Sequence, residues 1–308
     1  MCPVGIYLYE IDSSFGPNLI AEYNITDAKV NKEVLKKLTD KHVKKDLVDA
    51  TTQLDKSRFF SSKLESEPLK QKNIYLGFIL REDEDLISLK SVFENIQGRV
   101  AKSFDEKNRE KMRSLLKDTL NSILSLMEKL KEPGIIHETI NEKTKVLLDD
   151  GKLQEARELI DLGEEIPKEF SELIKEADKL FSEKNFKKAK KKFLKASQLA
   201  AEIQEGELVE FLRNKAKQVG NFPDLIDRRV DLINELSDIL KEFERDELKV
   251  YDQLIDSIDD LLSIANTFGE NEKFDLLTDF MNLVKKASNK AKDLYDLDKK
   301  INEFLLKL

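Results

Sequence analysis

Hydrophobic positions along this chain fall into two regimes. As far as residue 81 most apolar runs are short and strand-like, and beyond it they recur every three or four residues, as on one face of a helix. The runs Val4-Gly5-Ile6-Tyr7-Leu8-Tyr9 and Ile74-Tyr75-Leu76-Gly77-Phe78-Ile79-Leu80 are apolar at nearly every position. A strand with one wet face would alternate, so these two predict strands covered on both faces by helices. The spacing predicts strands over 4–11, 19–25, 47–54, 58–64 and 73–81, with turn formers at 12–17 and 55–57. A helix over 30–44, capped from Thr26 or Asp27, turns Val30, Val34, Leu35, Leu38 and Val43 inward. Glu82-Asp83-Glu84-Asp85 places acids at the start of a helix reaching Phe104, where the helix dipole favours them, and a longer helix covers 106–131.

The remainder reads as helix throughout. Pro133-Gly134 breaks the pattern, and Gly151-Lys152-Leu153-Gln154-Glu155-Ala156 is echoed by Lys184-Asn185-Phe186-Lys187-Lys188-Ala189, 33 residues later. Ala177, Phe181, Phe186, Ala189, Phe193 and Ala196 continue the second phrase. This segment resembles a degenerate tetratricopeptide array of about two units, which neighbouring helices must cap. Asn221-Phe222-Pro223-Asp224 predicts a helix start, followed by Leu225, Ile226, Val230, Ile233, Leu236, Ile239, Leu240 and Phe243. A break near Arg245-Asp246 leads to a helix ended by Gly269, and a last pattern runs from Phe274 to Leu305. These helices predict an antiparallel bundle or solenoid cap, and a coiled-coil reading would join two chains.

The order ββ-α-βββ-α-α over residues 4–131 resembles the longin domain. The resemblance implies an α+β fold of the longin/profilin-like kind: a five-stranded antiparallel sheet with one helix on one face and two on the other. The expected organisation is therefore a longin-like domain over 1–132, tetratricopeptide-like hairpins over 133–220, and a helical bundle or solenoid cap over 221–308, so that the C-terminal half is all-α. Longin-like domains bind other proteins, including other longin domains and small GTPases, in membrane traffic. The family has no catalytic signature, so no functional residue is carried over. A PAS-like sensor shares a related strand order, but PAS domains place several short helices where this chain has room for one.

Composition narrows the classes further. A net charge of -8 argues against general nucleic-acid binding. One cysteine, Cys2, allows no internal disulfide and has no nearby His to make it a nucleophile. No apolar run approaches the ~18–20 residues that span a bilayer, and the N-terminus lacks a secretory pattern. The expectation is a cytoplasmic protein whose contact with membranes is peripheral. His42 and His137 lack Cys or His partners at ligand spacing and read as surface or packing residues; no metal or cofactor is expected. Phosphate-loop and dinucleotide-binding glycine motifs are absent, and carboxylate pairs such as Asp149-Asp150 carry no specificity among 61 acids.

Two basic faces stand out. Lys184, Lys187, Lys188, Lys191, Lys192 and Lys195 fall on one helical stripe opposite Phe186, Ala189 and Phe193. Like charges at these spacings repel, and an acidic protein, an inositol lipid headgroup of an anionic membrane or RNA would relieve them; the lack of aromatics among the lysines favours the protein over nucleic acid. Asp252, Asp256, Asp259 and Asp260 form an acidic stripe that offers an internal alternative. Lys32, Lys36, Lys37, Lys41, Lys44 and Lys45 make the first helix basic as well, which reads as a solvated face. The expected role is a non-enzymatic adaptor or scaffold for protein partners, a small GTPase or another longin-like domain among them. The alternative is a sensor whose sheet domain binds a small molecule; a buried polar cluster inside that domain would favour it.

Overall fold

The computed structural model describes residues 3–306 apart from 13, 46, 82–85 and 243–247. Cys2, the acids at 82–85, Phe243 and the break at Arg245-Asp246 lie outside the described residues. Five strands, β1 (Gly5–Asp12), β2 (Gly16–Asn24), β3 (Asp49–Leu54), β4 (Ser57–Lys63) and β5 (Ile74–Arg81), form one antiparallel sheet in the order β2-β1-β5-β4-β3. The hairpins β1–β2 and β3–β4 are the local pairings, and β5 returns between them. The two continuously apolar runs are thus the inner strands β1 and β5, buried on both faces from Ile6 to Tyr9 and from Ile74 to Leu80.

Helix α1 (Lys32–Lys44) covers one face, its Val34, Leu35 and Leu38 packing with Tyr7, Tyr9, Ala50, Phe59, Tyr75 and Ile79. Its N-cap is Asn31, whose side chain accepts from the Val34 N–H at 2.9 Å, rather than Thr26 or Asp27. The alternate residues of the strands, Ile6, Leu8, Phe60, Leu76 and Phe78, face the other way and are fully buried. There α2 (Leu86–Ser103) sets Phe93 edge-on to Phe60 and ties Lys90 to Asp49 of β3 at 3.0 Å. Helix α3 (Arg109–Lys131) lies against β1, β2 and α2. The chain is therefore an α+β domain followed by an all-α region.

The helical region comprises α4 (Pro133–Asp149), α5 (Leu153–Ser182), α6 (Phe186–Glu202), α7 (Gly206–Glu242), α8 (Leu248–Phe268) and α9 (Asn271–Leu305). The chain divides into two compact units, 1–222 and 223–308. In the first, α3 meets α4 and α5, and α2 joins α7 through Asn95 and Asn214 at 3.1 Å. The domain boundary expected at 132 thus falls inside this unit. In the second, Leu232, Leu261 and Ile264 form a small core, and α8 packs along α9.

The repeated phrase at 151 and 184 marks one turn geometry used again at 204 and 269. Gly151, Lys184, Gln204 and Gly269 all have positive φ, and each next residue donates to a carbonyl five positions back, as Lys152 does to Leu147 and Asn185 to Leu180. This is the Schellman helix stop, followed at once by a new helix. The 33-residue offset from Leu153 to Phe186 spans the single helix α5 and its turn, not a two-helix repeat unit. The turn that a tetratricopeptide unit places between its own two helices is missing because α5 runs unbroken through Pro167. A buried Pro costs a helix one hydrogen bond, but Leu159, Ile166, Phe170 and Ile174 hold both halves in the same packing. Pro223 likewise sits inside α7 instead of opening a helix.

Candidate functional site

Five lysines of the stripe lie on α6 and Lys184 lies in the turn before it, and the opposite face of α6 is mostly small and apolar. Ala189, Phe193, Ala196 and Ala200 are fully buried, which brings α6 close against α5. That closeness divides the stripe. Lys192 and Lys195 reach carboxylates of α5, Glu176 and Glu169, each at 2.7 Å, and the hydrogen bond and charge of Glu169 raise the Lys195 ammonium above its ordinary value. Lys184, Lys187, Lys188 and Lys191 are exposed, with no carboxylate in ion-pair range among the described residues. The first of them occupies the positive-φ position of the turn. The acidic stripe on α8 finds its cations elsewhere: Asp260 takes Arg228 at 2.8 Å and Asp252 faces Lys292 at 3.9 Å.

A second charged site ties the helices to the sheet domain. Glu205, in the turn before α7, accepts from Lys129 of α3 at 2.8 Å and is also ion-paired to Lys143 of α4. Lys143 donates in addition to the carbonyls of Ile203 and Gln204, at 3.1 and 2.8 Å, satisfying the end of α6. Burial pushes the Glu205 carboxyl up, but the two lysines outweigh it and hold it below its ordinary value. Glu205→Gln is expected to lower the unfolding free energy of this unit by about 2 kcal/mol, because two half-buried ammonium groups lose their counter-charge. Urea unfolding at neutral pH would measure it, and an unchanged midpoint would make the clip incidental.

Beside this clip a cleft of about 260 Å³ opens among α2, α3, α5, α6 and α7, walled by Met127, Leu130, Ile174, Phe211 and Leu212. Its polar edge is Lys215, which pairs with Asp178 at 2.9 Å and holds its ammonium 4.5 Å from the centre of the Phe193 ring. The cleft is mainly apolar, and Lys215 and Asp178 neutralise each other at its edge.

The sheet domain does contain a buried polar chain, and periodicity missed it. Stepping along α1 from Val34 by helix geometry puts 34, 35, 38, 41 and 42 on one face, and all five are buried. Lys41 and His42 therefore occupy core positions, while Val43, expected inward, is exposed. Lys41 is not part of a solvated basic face: its ammonium donates to the Thr51 carbonyl at 2.7 Å. His42 Nδ1 lies 2.6 Å from the Leu47 carbonyl, which only accepts, so Nδ1 carries the proton. Nε2 then accepts from Ser61 Oγ at 2.8 Å, and Ser61 accepts from the Tyr9 hydroxyl at 3.0 Å. Tyr75 packs its ring 4.3 Å from the imidazole, and Tyr7 donates to the Phe60 carbonyl at 2.9 Å. Burial raises the phenols of Tyr7 and Tyr9 and pushes His42 down to about 4.

His137 is exposed and shares a contact with Asn141 at 3.0 Å. Among the described residues there is no cluster of three or more potential metal ligands, and no helix is long and apolar enough to cross a membrane. Comparison with known proteins finds no match to this chain among protein-family models, curated proteins or solved structures.

Proposed function

We propose that this chain is a non-enzymatic adaptor or scaffold in membrane traffic or small-GTPase regulation, built on a longin-like sheet domain. The observation that carries the reading is the β2-β1-β5-β4-β3 sheet, with α1 against one face and α2 and α3 against the other. A small GTPase or a second longin-like protein is the partner proposed for this domain. Lys184, Lys187, Lys188 and Lys191 would take an acidic surface of a further partner. The sensor alternative draws on the polar chain Tyr9–Ser61–His42, yet each group in that chain already bonds to protein, leaving no donor waiting for a ligand.

The test uses the full chain as bait in lysate of its source cells, with GDP or a non-hydrolysable GTP analogue. The adaptor reading expects a small GTPase to be captured in one nucleotide state, at least tenfold above the other. Equal or no capture in both states, together with a small molecule released on denaturing the purified protein, would replace it with the sensor reading.

A further inference from the structure

The last helix carries two apolar faces, and the described residues fully cover only one of them; on the other, Phe280 and Ala287 are half-buried. Phe274, Leu277, Met281, Val284 and Ser288 are turned inward along the α8 side, Leu277 packing with Leu261 and Ile264. One residue before Leu277, Met281, Val284 and Ser288, about 100° around the helix, runs a second series. It consists of Leu276, Phe280, Leu283, Ala287, Lys290, Leu294, Leu297 and Ile301. Its spacing alternates four and three residues without a break, the seam of a coiled coil. Leu276 is 70% exposed, Leu283 64%, Leu294 60% and Ile301 56%. Because α8 has 21 residues and α9 has 35, every residue from 292 to 306 is exposed.

We propose that this seam pairs with the same seam of a second copy of the chain, in antiparallel orientation. The flanking charges select both partner and direction. The positions just before the seam residues Phe280, Ala287, Leu294 and Ile301 are Asp279, Lys286, Asp293 and Lys300, alternating in sign at every heptad. In an antiparallel pair such positions face one another. With Leu276 set opposite Ile301 of the second copy, Phe280 meets Leu297 and Leu283 meets Leu294. Lys286 then faces Asp293 and Asp279 faces Lys300, all opposite in sign. At the two-fold centre Ala287 lies against Lys290, the small side chain leaving the lysine room to reach water. A parallel pair in register would instead set Asp293 against Asp298 of the second copy. With α8 on one side and the second copy at about 100°, α9 takes the position of a helix in a four-helix bundle.

Sedimentation equilibrium of the full chain at micromolar concentration tests this. The wild type is expected to be a dimer, and Leu294→Glu with Leu297→Glu a monomer with unchanged helicity, since both positions are exposed. Lys286→Glu is expected to weaken the dimer roughly tenfold or more by setting like charges face to face. Adding Asp293→Lys to Lys286→Glu restores opposite signs in the antiparallel arrangement and is expected to recover the affinity, whereas in a parallel pair Lys286 would face Ala291 and Lys286→Glu alone would cost nothing. A monomeric wild type would overturn the proposal, as would a double charge swap no tighter than Lys286→Glu alone.

Discussion

Gly77→Ala is expected to destabilise the sheet domain by about 3 kcal/mol. Gly77 pairs with Tyr7 across the central strands, and the Tyr7 ring lies over the bare backbone where a Cβ would stand. That ring has nowhere to go. It is fully buried, stacks 5.9 Å from Tyr9 and is held by its hydroxyl on the Phe60 carbonyl. One methyl group must therefore displace an aromatic core residue and break a buried hydrogen bond. Gly98→Ala is the control: its added Cβ meets nothing nearer than Ser66 Oγ at 4.0 Å, inside a helix where alanine gains about 0.5–1 kcal/mol over glycine. The chain has no Trp and six Tyr, three of which surround this site, so near-ultraviolet circular dichroism during urea unfolding reports the domain. Equal midpoints for the two variants would mean that Tyr7 is not seated on Gly77.

The second large effect is a loss of stability in mild acid. His42 is neutral in its buried chain, with a pKa pushed down to about 4 by burial, against 6.5 when unperturbed. Hydrogen bonding to Leu47 and the charge of Asp49 oppose that shift, while Lys41 and Lys63 add to it. The unfolded chain binds the proton more readily, so this contribution is fully present above about pH 6.5. It is lost as the pH falls from there toward 4, by about 3 kcal/mol in all. Protonation would also make Nε2 a donor facing Ser61 Oγ, which now donates to it. Unfolding free energies measured from pH 7.5 to 4.5 should fall along this slope, and in His42→Gln the slope should flatten. Glu205 acts lower on the scale, because its carboxyl is held below its ordinary 4.5. A stability that stays level between pH 7 and 5 would show that His42 titrates as a surface histidine.

The elements that periodicity located are those whose burial follows from the local pattern of apolar positions. β1 and β5 are apolar on alternate and intervening positions alike, which dictates cover on both faces wherever they stand in the sheet. The helix starts at Leu153 and Phe186 were legible as a repeated phrase because each follows a Schellman stop, a local geometry that sets one residue, Gly151 or Lys184, at positive φ just before the new helix. Harder to read was what a polar residue does in a buried position. Lys41 and His42 lie on the inward face of α1, but hydropathy marks them as solvent-facing; their partners Thr51, Ser61 and Leu47 come from β3, β4 and the segment between α1 and β3. The six-lysine stripe was visible, and its division was not, since Glu169 and Glu176 are brought to Lys195 and Lys192 only by the packing of α5 on α6.

By itself, then, the amino-acid order determined where strands and helices form, which of their faces are apolar, and that an α+β domain precedes an all-α region. Those are consequences of short-range periodicity and turn chemistry. The tertiary structure alone decided that α5 and α7 continue through Pro167 and Pro223, because packing on both sides of a proline offsets the hydrogen bond it removes. It also decided which charges are neutralised, since an ion pair depends on distances between elements far apart in the chain. And it divided the apolar surface of α9 into a covered and an exposed seam, because α8 packs against only one side of its neighbour.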